Sequence, residues 1–267
     1  RGDDAGQDLV ELGGSLSYGY FYDGWAGTWT RLTADATRGS NTIEVTDAST
    51  FHVGDLVLVD EENDPAIVDA NGSEGLCTYC GREAGGRVAG QVAQVMAVSG
   101  TTVTIDPPIY WTYHTALHAE AKAMPSDDVV QWAGIEDLTI TQDTAGSTYN
   151  LYMSGMYTWV RAVEITRMDW RSIWTAWNLR STIRDSYFHD AIGEYCHSLG
   201  YAVTLSLQSS ANLVENNVFD HVCYSAVVFG GAMGNVIGYN YTGTTELAGF
   251  DGTGKPFAEP GLPQFKL

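Results

Sequence analysis

Lysine is nearly missing from this chain: Lys122, Lys255 and Lys266 are the three that occur, and Lys and Arg together number 13 against 33 Asp and Glu. The resulting charge of −20 excludes a nucleic-acid binder, which needs a basic stripe to displace phosphate counterions. It also argues against docking on anionic lipid. No run of 18 apolar residues occurs, so no membrane insertion is expected. No signal peptide is read, and the abrupt opening at Arg1 suggests a processed or trimmed product. A surface this acidic is simply solvated, adapted to high salt in the halophilic manner, or built to gather cations.

Cysteine is scarce as well, at four. Cys77 and Cys80 form CTYC in a Gly-rich loop, and one CxxC without a second pair falls short of the four ligands of a structural zinc site. Disulfides are the preferred reading, which goes with a secreted, extracellular or cell-surface protein.

What the chain does have is a core and a rhythm. Its 267 residues are 44% apolar and 12% aromatic, enough for one large domain or two small ones. Residues 1–36 are rich in Gly, Tyr and Trp around "DLVELGG". Residues 37–110 read as a small all-β module of β-branched runs ("NTIEV", "DLVLV", "GQVAQVMAV", "TTVTI") between turn residues, with a long loop at 60–88. Residues 111–242 carry repeats, and the tail at 243–267 leaves the pattern.

The repeats are "IEDLTI", "VRAVEI", "IRDSYF", "VENNVF" and "VIGYNY", starting at 135, 160, 183, 214 and 236. Second strands, "YNLYM", "SIWTAW", "AVTLSL" and "SAVVF", lie between them. Spacing of this order, without a helical 3.6-residue period, predicts a solenoid whose units bury their faces against one another. Asn212, Asn216, Asn217, Asn235 and Asn240 cluster at the turns, where Asn tolerates left-handed backbone and its side chain can satisfy the next rung.

On "GIEDLTI", "STIRDSYFHD", "NLVENNVFDH" and "GNVIGYNYTG", residues 130–242 resemble the right-handed parallel β-helix proteins of the pectate-lyase-like superfamily. "TRGSNTIEVTDASTFHVGDLVLV" is similar to an insertion in bacterial members, and "RGDDAGQDLVELGG" to the end of an earlier coil. The resemblance implies the fold. It does not single out an activity, because the superfamily holds lyases, hydrolases, epimerases, tailspikes and non-catalytic surface proteins, and no lyase or polygalacturonase signature is intact here.

In such a coil, equivalent positions stack about 4.8 Å apart. Alternation then places Asp137, Ala162, Asp185 and Asn216 in one outward column. Thr139, Glu164, Tyr187, Val218 and Asn240 form a second, and Thr141, Thr166, His189, Asp220 and Thr242 a third. His189 and Asp220 should be rung neighbours, with Glu164 and Asp185 on a diagonal of about 8 Å. Carboxyls at roughly 6.5–9.5 Å suit inverting glycoside hydrolysis. The face is therefore read in two ways: as a solvated acidic strand, or as a polysaccharide site with Glu164, Asp185, His189 and Asp220 as catalytic groups and Asp137 and Tyr187 in substrate binding. No resident metal is assigned, but the carboxylates could hold Ca²⁺ against an acidic sugar. Arg161 and Arg184, the candidate lyase bases, are flanked by Glu136 and Glu215 and read also as a ladder of ion pairs.

In "WRSIWTAWN", Trp174 and Trp177 point to opposite faces, so one is exposed for sugar stacking unless something covers it. Cys196 and Cys223 follow consecutive repeats, and the rung spacing lies inside the disulfide window of about 4.4–6.8 Å. A staple between coils is preferred over a metal site with His197 and His221, and Cys77–Cys80 should close its own loop. Two functions follow: a secreted β-helix that engages polysaccharide, with or without cleaving it as a hydrolase or lyase, or a non-catalytic structural or adhesive subunit that self-associates into a filament or other assembly through its open coil ends.

Overall fold

Each repeat folds as one turn of a parallel β-helix, in a computed structural model that describes residues 10–13, 28–68, 76–142, 149–192, 200–243 and 265–266. A turn contributes one strand to each of three parallel sheets. The first sheet holds Val10–Leu12, Tyr149–Met153, Arg171–Ala176, Tyr201–Ser206, Tyr224–Val228 and Phe265–Lys266. The second runs from Gly134–Glu136 through Trp159–Arg161, Thr182–Arg184 and Leu213–Glu215 to Val236–Gly238. The third runs from Thr139–Thr141 through Glu164–Thr166, Tyr187–His189 and Val218–Asp220 to Tyr241–Thr242. The tail thus returns to its own stack, where Phe265 and Lys266 pair with Ala226 and Val227.

The recurring apolar residues form vertical columns inside the coil. Val160 lies between Ile135 and Ile183, and Ile165 between Ile140 and Phe188. Phe188 stacks on Phe219 at 5.2 Å between ring centroids. Burying such columns is the main stabilising term, at about 25 cal/mol per Å² of apolar surface.

The bends between sheets are single residues in left-handed conformation. Asp137, Ala162, Asp185, Asn216 and Tyr239 occupy this position between the second and third sheets, with φ between 51° and 55°. Tyr157, Arg180, Ala211 and Gly234 do so before the second sheet. A bend breaks the backbone ladder, and the residue after it repairs the break. Ser186 Oγ accepts from Val163 N–H (3.1 Å), Asn217 Oδ1 from Ser186 N–H (3.1 Å), and Asn240 Oδ1 from Asn217 N–H (2.9 Å). Ser181, Asn212 and Asn235 repeat the scheme at the other bend. Buried backbone donors are satisfied in this way at both corners. Asn216 differs from the other four asparagines in taking the bend itself.

The ladder corrects the last repeat by one residue. Val214 pairs with Ile237, Val218 with Tyr241 and Phe219 with Thr242. The apolar pattern alone lets Val236 or Ile237 sit over Val214, but only the second choice brings Asn235 and Asn240 under the N–H groups that need them. Tyr241 therefore replaces Asn240 in the outward column, and Thr242 stacks on Phe219, out of the column of Asp220.

Between the first strand and the coil lies an antiparallel sheet of six strands: Thr30–Arg31, Thr42–Glu44, Leu56–Asp60, Gly90–Ser99, Thr102–Asp106 and Glu120–Met124. It extends past residues 37–110 at both ends. Its "LVLV" run is buried throughout because both faces are covered. Val57 and Val59 point into the sheet's own core, while Leu56 and Leu58 join Tyr152, Trp174 and Trp177 of the coil. Val92 N–H donates to Ser210 Oγ (3.1 Å), and Tyr157 Oη to Gln94 Oε1 (2.8 Å), across this junction. Gly231, at φ +73°, permits the contact, since a Cβ there would lie 2.0 Å from the Val88 carbonyl oxygen.

Candidate functional site

With the first sheet covered, the outer side of the third sheet is where polar and aromatic side chains gather in the open. The strand alternation that buries Ile165, Phe188 and Phe219 turns Glu164, Thr166, Tyr187, His189, Val218 and Asp220 outward. Rung pairing sets Glu164 between Thr139 and Tyr187, and His189 between Thr166 and Asp220. His189 and Asp220 are thus the rung neighbours the spacing predicts.

The side chains then choose their own partners. His189 Nε2 lies 3.0 Å from Glu164 Oε1, and its Nδ1 lies 2.8 Å from Asp190 Oδ2. Thr139 Oγ1 donates to the other Glu164 oxygen at 2.8 Å. Asp220 Oδ2 sits 3.1 Å from His221 Nδ1. The Tyr187 ring stacks on the His189 ring, with centroids 4.1 Å apart and planes 17° from parallel. The result is a carboxylate–imidazole–carboxylate chain with an aromatic ring laid along it.

Its electrostatics are one-sided. The Thr139 hydrogen bond, and then the His189 one, hold the Glu164 carboxyl below the usual range. The Tyr187 hydroxyl is pushed up, first by burial and then by Asp220, Asp190 and Glu164. Ionised carboxylates accept hydrogen bonds from hydroxyls or approach a cation. A general acid for glycoside cleavage needs the opposite, a carboxyl whose proton is retained by its surroundings.

Asp185 stands at a different kind of position from Glu164, which lies within a strand. It occupies the left-handed bend, where Asn216 Nδ2 donates to it at 2.6 Å and Arg184 Nε at 2.8 Å. These contacts, the Asn216 bond first, also lower its pKa. The bend at Asp185 separates the strand that ends at Arg184 from the one that starts at Tyr187, so the third and fifth positions of the repeat do not lie on one continuous strand. Asp137 is exposed at the equivalent bend two turns earlier in the coil. Arg161 pairs with Glu136 at 2.7 Å and Arg184 with Glu215 at 3.5 Å, so these arginines form the ion-pair ladder.

Neither tryptophan is available as an open platform. Trp174 and Trp177 are 5% and 1% exposed, packed beneath the antiparallel sheet, and Trp177 Nε1 donates to Gln208 Oε1 at 3.1 Å. Cys77 and Cys80 are bonded to each other. Cys223 is also in a disulfide, so its sulfur is not a thiolate ligand for a metal. Cys196, its expected partner, and His197 lie outside the described residues. Among the described residues no group of three or more His, Cys, Asp or Glu side chains is arranged to hold a metal ion. Asp190 is the member of this cluster that the sequence reading lacks, and His221 enters it beside Asp220 in place of the metal site considered for it, although "FHD" and "FDH" place an acid and an imidazole after the same inward aromatic in two successive turns.

No protein-family model matches the sequence, and no curated protein matches it. Solved structures similar to the chain include three phage tailspikes. One is the Gp54 tailspike of Acinetobacter baumannii bacteriophage AP22 in complex with A. baumannii capsular saccharide, at 15% identity and a TM-score of 0.40, over 84% of this chain and 36% of that one. The second, gp49 of Pseudomonas phage LKA1, is 15% identical with a TM-score of 0.36, over 81% of this chain and 42% of that one. The third, gp61 of Pseudomonas phage phi297, is 13% identical with a TM-score of 0.39, over 88% of this chain and 50% of that one. The chain therefore spans half or less of the length of the tailspikes it is similar to.

Proposed function

We propose that the protein is a secreted or surface-exposed member of the pectate-lyase-like superfamily that engages polysaccharide along the outer side of the third sheet. The observation that carries this reading is the Tyr187–His189 ring stack lying beside the Glu164 and Asp190 carboxylates. A pyranose ring offers apolar C–H faces and a rim of hydroxyls. Flat aromatic surface suits the first and ionised carboxylates the second. Val218 and Tyr241 prolong the outward column beyond Tyr187 and are themselves exposed, so a chain of sugars has surface to follow. Binding is the part of this reading the geometry supports best. If hydrolysis or elimination accompanies it, Glu164 and His189 are the groups positioned to move a proton, with Ca²⁺ a candidate bridge to an acidic sugar.

The test is a panel of neutral and acidic glycans titrated onto the wild type, Tyr187→Ala and His189→Ala, with and without Ca²⁺. Saturable binding that weakens at least tenfold in both variants is expected. Absence of binding across the panel would sink the proposal, and new reducing ends or unsaturated products would show cleavage.

A second reading, self-association, draws on a different observation. Val236, Tyr239 and Tyr241 on one turn are 57%, 93% and 66% exposed. Clustered exposed apolar side chains mark contact surfaces. Light scattering that finds only monomer at high concentration would remove this reading.

A further inference from the structure

The column of bend residues that precedes the second sheet opens with a tryptophan. Gly134 pairs with Trp159 across the rungs, which sets Trp132 over Tyr157, both in left-handed conformation at φ 54° and 56°. Their rings stack with centroids 4.3 Å apart and planes 3° from parallel, and Trp132 is 69% exposed. We propose that Trp132, with Trp159 beside it, is a stacking platform for the apolar face of a neutral hexopyranose, a saccharide contact that does not depend on the third-sheet reading.

The platform is anchored from below and from the side. Tyr157 Oη donates to Gln94 Oε1 at 2.8 Å, and Gln94 Nε2 donates to the Gly54 carbonyl at 3.2 Å, which ties the lower ring to the antiparallel sheet. Gly134 lets the Trp159 ring lie across the strand, since a Cβ there would stand 2.2 Å from Trp159 Cε2. Trp159 Nε1 donates to Glu136 Oε1, whose other oxygen accepts from Arg161 Nη2 at 2.7 Å. Both aromatic surfaces are thereby in place before any ligand arrives, which lowers the entropy cost of binding.

The fold does not ask for tryptophan at this bend, because Arg180, Ala211 and Gly234 fill it in later turns. Left-handed backbone disfavours a bulky side chain, and an open indole forgoes hydrophobic burial. Tyr157 covers one face of the ring. Gly134–Glu136 is the edge strand of the second sheet, so among the described residues no further turn covers the other. A flat indole face accepts the C–H bonds of a pyranose. The roughly 150–250 Å² that one tryptophan can bury falls short of the patches of several hundred Å² that hold protein partners. A nucleic-acid base would stack as well, but its phosphates are repelled by a chain of charge −20. Beside the rings the Glu136–Arg161 pair cancels its own charge, which favours a neutral sugar.

The experiment uses the full chain and calorimetric titration with cellohexaose, mannohexaose and maltohexaose. Saturable binding of at least one is expected, changing less than about twofold between roughly 50 and 500 mM salt, since no net charge is engaged. Trp132→Gly should weaken it at least tenfold, Trp132→Tyr keeps a flat ring and should retain most of it, and Tyr187→Ala should leave it unchanged. Glycine suits the left-handed bend, so Trp132→Gly should hold the thermal midpoint within about 3 °C of the wild type. Failure of all three oligomers to bind overturns the proposal, as does undiminished binding in Trp132→Gly. Loss in Tyr187→Ala without loss in Trp132→Gly would assign the ligand to the third sheet, overturning this platform while leaving that reading standing. A wild type that dimerises in light scattering and a Trp132→Gly variant that does not would make the ring a contact between copies and overturn it too.

Discussion

His189 meets Glu164 at 3.0 Å although 25 residues separate them, because one turn of the coil brings the end of a strand back beside the start of the one before. The contact makes the acidic face a connected set of groups in place of scattered charges, and it has a pH signature.

Glu164 should titrate below an ordinary glutamate. Its folded pKa is depressed, so its contribution to stability is present above the unfolded value of about 4.3 and disappears as pH falls through the folded one. Carbon-detected NMR titration of the Glu164 side chain checks this. Thr139→Ala removes the larger cause and should move the midpoint upward; an unchanged midpoint would contradict the assignment.

Neighbouring asparagines should respond in opposite ways. Asn217 is buried, accepts from Ser186 N–H and donates to the Ile183 carbonyl at 3.0 Å. Asn217→Ala leaves buried backbone groups unsatisfied and should cost about 1–3 kcal/mol in urea unfolding. Asn216 occupies the left-handed bend, so Asn216→Gly should be tolerated within about 0.5 kcal/mol while Asn216→Val is clearly destabilising. Equal effects of Asn217→Ala and Asn216→Gly would refute the ladder.

Arg87 anchors the antiparallel sheet's loop. It is 1% exposed, and its Nε donates to Asp60 Oδ1 at 3.0 Å, while Arg82 Nε donates to the other Asp60 oxygen at 2.7 Å. Arg87→Ala leaves a buried carboxylate with half its partners and should cost about 3 kcal/mol or more. Chemical denaturation with a probe in the antiparallel sheet reports it, and a change under 1 kcal/mol would count against a structural role.

Trp174→Ala should act on stability, by about 3–5 kcal/mol, because it empties the interface between coil and antiparallel sheet. Thermal or urea unfolding measures the loss. A fully stable variant with selectively abolished glycan binding would restore the exposed-platform role that burial argues against.

The coil was legible because its signals are local and repeated. Apolar columns at Val160, Ile183 and Val214, and asparagines at Asn212 and Asn217, recur at intervals that a parallel stack alone satisfies. Register failed only at the last turn, where two adjacent apolar residues fitted one slot and a hydrogen bond made the choice. The site was partly legible: rung neighbours such as His189 and Asp220 came from counting, but the bends at Asp185 and Asp190 did not. Left-handed positions are filled by Ala162, Arg180 and Tyr239 as readily as by Asn, so residue type gives little warning of them.

From the sequence by itself came the parallel β-helix, its outward columns and the acidic character of its surface, all consequences of short-range periodicity and composition. Which face stays open was decided only by tertiary structure. Val92 contacts Ser210 across 118 residues of sequence, and that packing buries Trp174 and Trp177 and leaves the third sheet to solvent. Long-range docking of two sheets depends on complementary surfaces, and no periodicity within either segment encodes it.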